Sequence, residues 1–211
     1  MTSGQTYLPA AGHDIFLPLY DPMMRLFGFQ RALRRLLDQA ELRPNHAVLD
    51  VGCGTGTLAV LIKRLHPDVD VVGIDPDPKA LARAQRKAAR ARLSLRFDRG
   101  FADALPFADG AFDRVFSSMM FHHVHKEDKP RVLADIRRVL KPGGRLAFLD
   151  LAGGSLGMLA RLIHATHVSA ESDDRLVKRM REAGLADAKR VAVQATLFGP
   201  IAFYEASAPS R

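Results

Sequence analysis

The sequence predicts an α/β protein with a doubly wound, mostly parallel sheet of seven strands that ends in an antiparallel pair. Three observations predict it. Short apolar runs of strand length alternate with helical periodicity between residues 46 and 151. The first of these runs is followed at once by a glycine loop. The last two runs, Ala188 to Ala195 and Leu197 to Ala206, are joined so tightly that the chain must reverse between them.

In chain order, residues 1 to 20 read as an irregular arm. Met23, Leu26, Phe27, Ala32, Leu33, Leu36 and Leu37 then follow a helical period over Pro22 to Gln39, interrupted near Gly28 and ended by Pro44. His46 to Val51 is a strand, Leu58 to Leu65 a helix stopped before Pro67, and Val69 to Ile74 a second strand. Pro78 to Ala91 is a helix, with Ala80, Leu81, Ala84 and Ala88 on the face opposite its basic residues. Leu93 to Phe97 and Phe112 to Ser117 are the third and fourth strands. Lys126 to Leu140 is a helix ended by Pro142-Gly143-Gly144, and Arg145 to Leu151 the fifth strand. Asp173 to Ala183 is a helix closed by Gly184.

The 211 residues suffice for one domain with a sizeable core. Its expected parts are an arm and helix over 1–40, a ligand-binding core over 41–151, and a covering segment with the terminal strand pair over 152–211. No apolar run approaches the roughly 18 residues of a membrane span, and Met1 to Ala11 lack the pattern of a signal peptide. A single cysteine, Cys53, leaves no disulfide framework and no cysteine-rich metal site. A cytoplasmic setting is expected. The net charge of +8 admits a nucleic-acid partner, but the basic residues are spread along helices, with Arg83, Arg86, Lys87, Arg90 and Arg92 the densest group. A solvated arginine-rich surface is the reading preferred, and no nucleic acid is expected. Nothing in the sequence bears on oligomeric state.

Ligands of such sheets bind beyond the carboxyl ends of the strands. After the first strand comes Asp50-Val51-Gly52-Cys53-Gly54-Thr55-Gly56-Thr57. The glycines allow a sharp turn and a close ligand approach to the backbone. Thr57 stands where a dinucleotide fingerprint has its third glycine. Asp50, just before the loop, would repel a phosphate and suits a cationic ligand. The second strand runs into Asp75, which can accept from both hydroxyls of a ribose or cap the following helix.

The chain resembles the class I S-adenosylmethionine-dependent methyltransferases, with their Rossmann-like fold, and within them the ubiquinone and menaquinone C-methyltransferase branch. The resemblance rests on Val48-Leu49-Asp50-Val51-Gly52-Cys53-Gly54-Thr55-Gly56, Gly73-Ile74-Asp75, Ala104-Leu105-Pro106-Phe107, Phe112-Asp113-Arg114-Val115 and Arg138-Val139-Leu140-Lys141-Pro142-Gly143-Gly144. Tyr20-Asp21-Pro22-Met23 is similar to the family's N-terminal element over the cofactor. The resemblance implies S-adenosylmethionine as cofactor. Gly52, Gly54 and Gly56, with Cys53 as a small filler, would pass along its methionine part, Asp50 would face its amino and sulfonium end, and Asp75 would hold its ribose. Pro76 would pack on adenine, and Tyr20 and Ser117 would complete the site. One departure stands out: the family's Gly-Asp-Ala reads Gly100-Phe101-Ala102 here. Phe101 would then flank the purine and the Ala102 amide read its ring nitrogen, with Asp103 displaced by two positions from the expected acid.

The fourth strand leads into Ser117-Ser118-Met119-Met120-Phe121-His122-His123-Val124-His125, where an acceptor would meet the cofactor. A base helps when the acceptor must lose a proton, and histidine titrates near neutrality. His122 is the preferred candidate and His123 the second; the alternative is that both brace or cap the next helix. The quinone-modifying relatives commonly have Arg-Asn at these two places, so the polar pair differs. His164 and His167 share a helical face but lack a carboxylate partner at ligand spacing, and no metal site is expected. Apolar residues on the arm (Phe16, Leu19, Met23, Met24, Phe27) and on Gly153 to Ser169 (Leu156, Met158, Leu159, Leu162, Ile163) suggest a roof over a small, apolar or aromatic substrate. A nucleic-acid methyltransferase or binding protein is the alternative.

Overall fold

The computed structural model describes residues 29–152, 173–196 and 199–210. Tyr20, the apolar arm, the Gly153 to Ser169 segment and its histidines lie outside them. The elements are α1 (Phe29–Gln39), β1 (Ala47–Val51), α2 (Thr57–Leu65), β2 (Asp70–Asp75), α3 (Pro78–Arg90), β3 (Arg96–Arg99), β4 (Phe112–Ser118), a 3-10 turn (Phe121–His123), α4 (Lys129–Val139), β5 (Leu140–Leu151), α5 (Asp173–Glu182), β6 (Ala186–Gln194) and β7 (Ile201–Ser207).

The seven strands form one sheet in the order β3-β2-β1-β4-β5-β7-β6. The strands β3 to β5 pair in parallel, whereas β7 runs antiparallel to both β5 and β6. After β3 the chain crosses back to the far side of β1, so the helices that follow the paired strands β1 and β4 pack on opposite faces of the sheet, the switch point at which ligands of such sheets bind. One face buries α1 and α2 through Leu33, Leu36, Leu58 and Ile62 against Phe116, Leu149 and Phe203. The other buries α4 and α5 through Leu133, Ile136 and Met180 against Val115, Phe148 and Tyr204. The amphipathic period of α1 turns Arg31, Arg34 and Arg35 outward, and the Arg35 guanidinium lies 5.1 Å above the Phe203 ring.

Several boundaries differ from the sequence expectation for local physical reasons. α4 begins at Lys129 rather than Lys126, because Pro130 has no N–H and fits only a first turn. β3 begins at Arg96 rather than Leu93. The Leu93 N–H donates to the Ala88 carbonyl (3.0 Å) and the Arg92 N–H to that of Ala89 (3.0 Å), with Arg92 at φ 55°, so both residues close α3. β5 begins at Leu140, with Pro142-Gly143-Gly144 inside its span as an irregularity, since Phe112 pairs Leu140 and Arg114 pairs Arg145. Gly143 donates to the Ala208 carbonyl and Ala208 to that of Gly144 (3.1 and 2.8 Å), so the chain's end satisfies this stretch. β7 starts at Ile201 because Thr196 and Gly199 exchange backbone hydrogen bonds (3.2 and 3.1 Å) that close the hairpin before Pro200.

Gly56 sets the angle at which α2 leaves the loop. Its φ is +72°, and a Cβ there would lie 2.8 Å from the Ala84 Cβ and 3.0 Å from the Phe97 ring. Gly56→Ala is therefore expected to destabilise the fold by about 1–3 kcal/mol, combining left-handed strain with overpacking. Urea denaturation checks this, and an unchanged midpoint would show that the α2–α3 contact yields at no cost.

Candidate cofactor and acceptor site

The glycine loop is pinned to β2: the Gly52 and Cys53 N–H groups both donate to the Ile74 carbonyl (2.8 and 3.0 Å). Asp75 ties the loop to the following turn. Its Oδ2 accepts from the Gly54 N–H and its Oδ1 from the Asp77 N–H, each at 2.9 Å. The cap of α3 is Asp77, which accepts from the Lys79 N–H at 2.8 Å, so Asp75 is not the helix cap. Burial pushes the Asp75 carboxyl up, against the pull of its two backbone donors. A Cβ on Gly54 would meet none of the described residues within 4 Å, so they leave the middle of the loop uncovered.

Asp50 is 1% exposed and accepts from the Ala59 backbone N–H, yet its Oδ2 has no hydrogen-bond partner among the described residues. Burial, and secondarily the Asp75 charge, push its carboxyl up to about 7. Ser117, at the end of β4, is fully buried and its Oγ likewise has no described partner. Buried polar atoms without partners are rare, and these two are at the carboxyl ends of adjacent strands. The register sets Asp50 beside Phe116 and Ser117 beside Val51, so the two side chains turn to opposite faces of the sheet, and a group with a positive amino or sulfonium end fits Asp50, whose ionised form a cation would favour.

Cys53 is buried, its Sγ 2.9 Å from where a Gly73 Cβ would stand, and burial raises its thiol well above the ordinary value. That is the packing of a small filler. The Met120 side chain occupies the space over Gly52, where a Cβ would fall 2.2 Å from Met120 Cγ. Pro76, Phe101 and Ala102 are half-buried, and the Pro76 carbonyl accepts from Arg99 Nε (3.2 Å). Asp103 pairs with Arg131 of α4 at 3.5 Å, which turns its carboxylate toward that helix.

His122 is buried, and its partner is a residue that sequence reasoning missed. Its Nδ1 bonds Asp150 Oδ1, and its backbone N–H donates to Asp150 Oδ2 at 2.9 Å. Asp150, near the end of β5, also accepts from the Leu151 N–H (2.7 Å). Although burial opposes it, the His122 ring and these bonds hold the Asp150 carboxyl below the usual value. The sequence signal was there: a lone acid inside the apolar Ala147-Phe148-Leu149-Asp150-Leu151 run. His123 is half-buried, its ring centroid 4.1 Å from that of His122. Neither histidine is the cap of α4, which is Asp128. Among the described residues, no cluster of histidine, cysteine, aspartate and glutamate could hold a metal ion, and no helix is long and apolar enough to cross a membrane.

The sheet order, the glycine loop on β1, the acid after β2 and the reversed β7 together define a class I methyltransferase fold. Comparisons with known proteins agree. The family described as "Methyltransferase domain" matches residues 48–144. A demethylmenaquinone methyltransferase of Thermus thermophilus is 40% identical over 151 residues, covering 69% of this chain and 68% of that protein. The 27-O-demethylrifamycin SV methyltransferase of Amycolatopsis mediterranei is 35% identical over 164 residues, covering 74% of this chain and 59% of that protein. The matched part of the chain thus spans 68% of the first relative's length and 59% of the second's. The crystal structure of the YcgJ protein of Bacillus subtilis superposes with a TM-score of 0.74 at 18% identity, covering 86% of this chain and all of that one. The chain belongs to the S-adenosylmethionine-dependent methyltransferases, on the side of the family that includes the ubiquinone and menaquinone enzymes.

Proposed function

We propose that this protein transfers the methyl group of S-adenosylmethionine to a small, apolar or aromatic acceptor. The observation that carries the reading is Asp50, a buried carboxyl whose Oδ2 has no hydrogen-bond partner among the described residues, directly before a glycine loop in which a Gly54 Cβ would meet none of those residues within 4 Å. Bound there, the cofactor supplies an electrophilic methyl on a good leaving group. Gly52, Gly54 and Gly56 let its methionine part lie along the backbone. Asp50 and Ser117 receive its polar end, Asp75 its ribose, and Pro76, Phe101 and the Ala102 amide its adenine. His122 takes the acceptor's proton, with His123 beside it. With the acceptor aligned on the methyl group and water excluded, alignment supplies much of the rate. The relatives acting on a demethylmenaquinone and on a rifamycin support an apolar acceptor. The protein works in the cytoplasm without a nucleic-acid partner; a steeply salt-dependent RNA gel shift would contradict that.

Calorimetry tests the cofactor: S-adenosylmethionine and its demethylated product bind at micromolar order and NAD does not. Release of that product, measured across phenols, quinols, thiols and amines, tests the acceptor. Asp75→Ala is expected to weaken cofactor binding by about 1.5–3 kcal/mol, the worth of charge-assisted ribose hydrogen bonds. Because the same carboxylate holds the Gly54 and Asp77 N–H groups, the variant's melting temperature should fall as well. A lowered melting temperature with unchanged affinity would reduce Asp75 to a loop brace.

A further inference from the structure

We infer that Asp150 is a positioning residue: it holds the His122 ring with Nδ1–H donated to the carboxylate, leaving Nε2 as the proton acceptor for a hydroxyl group of the methyl acceptor. The inference rests on the proposed methyl transfer and extends it to a new residue and an acceptor class.

The geometry carries it. Asp150 grips His122 twice, through the ring Nδ1 and through the backbone N–H, so both the turn and the ring plane are set by one carboxylate. That carboxylate is 4% exposed and held ionised by its partners. An ionised carboxylate only accepts hydrogen bonds, so Nδ1 must be the donor, and in a neutral imidazole Nε2 then bears the lone pair. The bond to Asp150 is made at Nδ1, so the carboxylate fixes which ring nitrogen carries the proton. The groups facing it are Asp150 from β5 and His123 from its own turn, while Lys129 of α4 places its ammonium 5.0 Å from the Phe121 ring centroid. A histidine that only braced β5 could do so through its backbone N–H alone.

The arrangement matches an acceptor that is neutral and must lose a proton as it reacts. The hydroxyl proton passes to Nε2, the oxygen lone pair forms the bond to the methyl carbon, and the carbon–sulfur bond breaks with its electron pair remaining on sulfur. The proton on the imidazolium, stabilised by Asp150, then leaves to water. An amine or an ionised thiol needs no such base.

Nitrogen-15 NMR of the ligand-free full chain tests the assignment without turnover. The wild type should show His122 protonated at Nδ1 and not at Nε2 near pH 8. Asp150→Asn should lose that preference, keep cofactor affinity within about threefold by calorimetry, and lower turnover about 10²-fold or more through the wrong tautomer. Asp150→Glu should restore part of both. Adding 1-naphthol to the complex with the demethylated cofactor should shift the Nε2 resonance. A wild-type ring protonated at Nε2 overturns the inference even if every variant misfolds. An Nε2 signal unmoved by 1-naphthol overturns the hydroxyl assignment. Absence of S-adenosylmethionine binding by the wild type would instead defeat the underlying methyltransferase reading, leaving the tautomer result standing by itself.

Discussion

Replacement of His122 is expected to lower turnover about 10²- to 10⁴-fold while leaving cofactor affinity unchanged, the range lost with a positioned general base. His122→Gln is the informative variant, since its amide can still donate to Asp150. His122→Ala removes the ring partner of a buried carboxylate and should also lose about 1–3 kcal/mol of stability. Single-turnover kinetics with calorimetry on the same preparations separates the two effects. A loss of only a few-fold would make His122 a wall of the pocket and direct the substrate search toward thiols and amines.

Asp50 is expected to stabilise the ligand complex at the expense of the ligand-free fold. Its carboxyl rises from 3.8 to about 7 on folding. Below pH 3.8 both states hold the proton and nothing is lost. Between the two values the folded state keeps a proton that the unfolded state has released, so stability declines as pH rises and the penalty is complete above about pH 7. At about 1.4 kcal/mol per unit, the full penalty is of the order of 4 kcal/mol. Asp50→Asn keeps the shape and removes the charge. It should leave stability near pH 4 unchanged, raise it by about 2–4 kcal/mol at pH 8, and weaken S-adenosylmethionine binding about 10- to 100-fold. Urea titrations at the two pH values and calorimetry measure all three. In the wild type, binding near pH 6.5 should release a proton, visible as a dependence of the heat on buffer ionisation. A variant no more stable than the wild type at pH 8 would show that Asp50 is solvated in the ligand-free protein.

Much of this was legible in the chain. Gly52, Gly54, Gly56, Asp50 and Asp75 were readable because they lie within a few residues of strand ends whose apolar runs are unmistakable, and the loop needs backbone freedom that only glycine has. Asp75 illustrates the limit. Its place was readable, but excluding the helix-cap alternative to a ribose partner depended on Asp77, two residues on, taking the α3 amide. The third strand was misplaced because Leu93 looks like the start of a strand and is used to close α3. The acid two places late, Asp103, pairs with Arg131 of α4, 28 residues on, a partner that no local pattern contains.

The sequence by itself determined the alternation of strands and helices, the glycine loop with its two flanking acids, and the histidine-rich segment after β4. These are local patterns, set by periodicity, backbone freedom and residue chemistry over short spans. Only the tertiary structure decided which acid serves which partner. The insertion of β7 beside β5, the burial that leaves Asp50 half-satisfied, and the pairing of His122 with Asp150, 28 residues away, arise where strands distant in sequence lie side by side. Burial and long-range hydrogen bonding are properties of the packed sheet, and no window of sequence contains them.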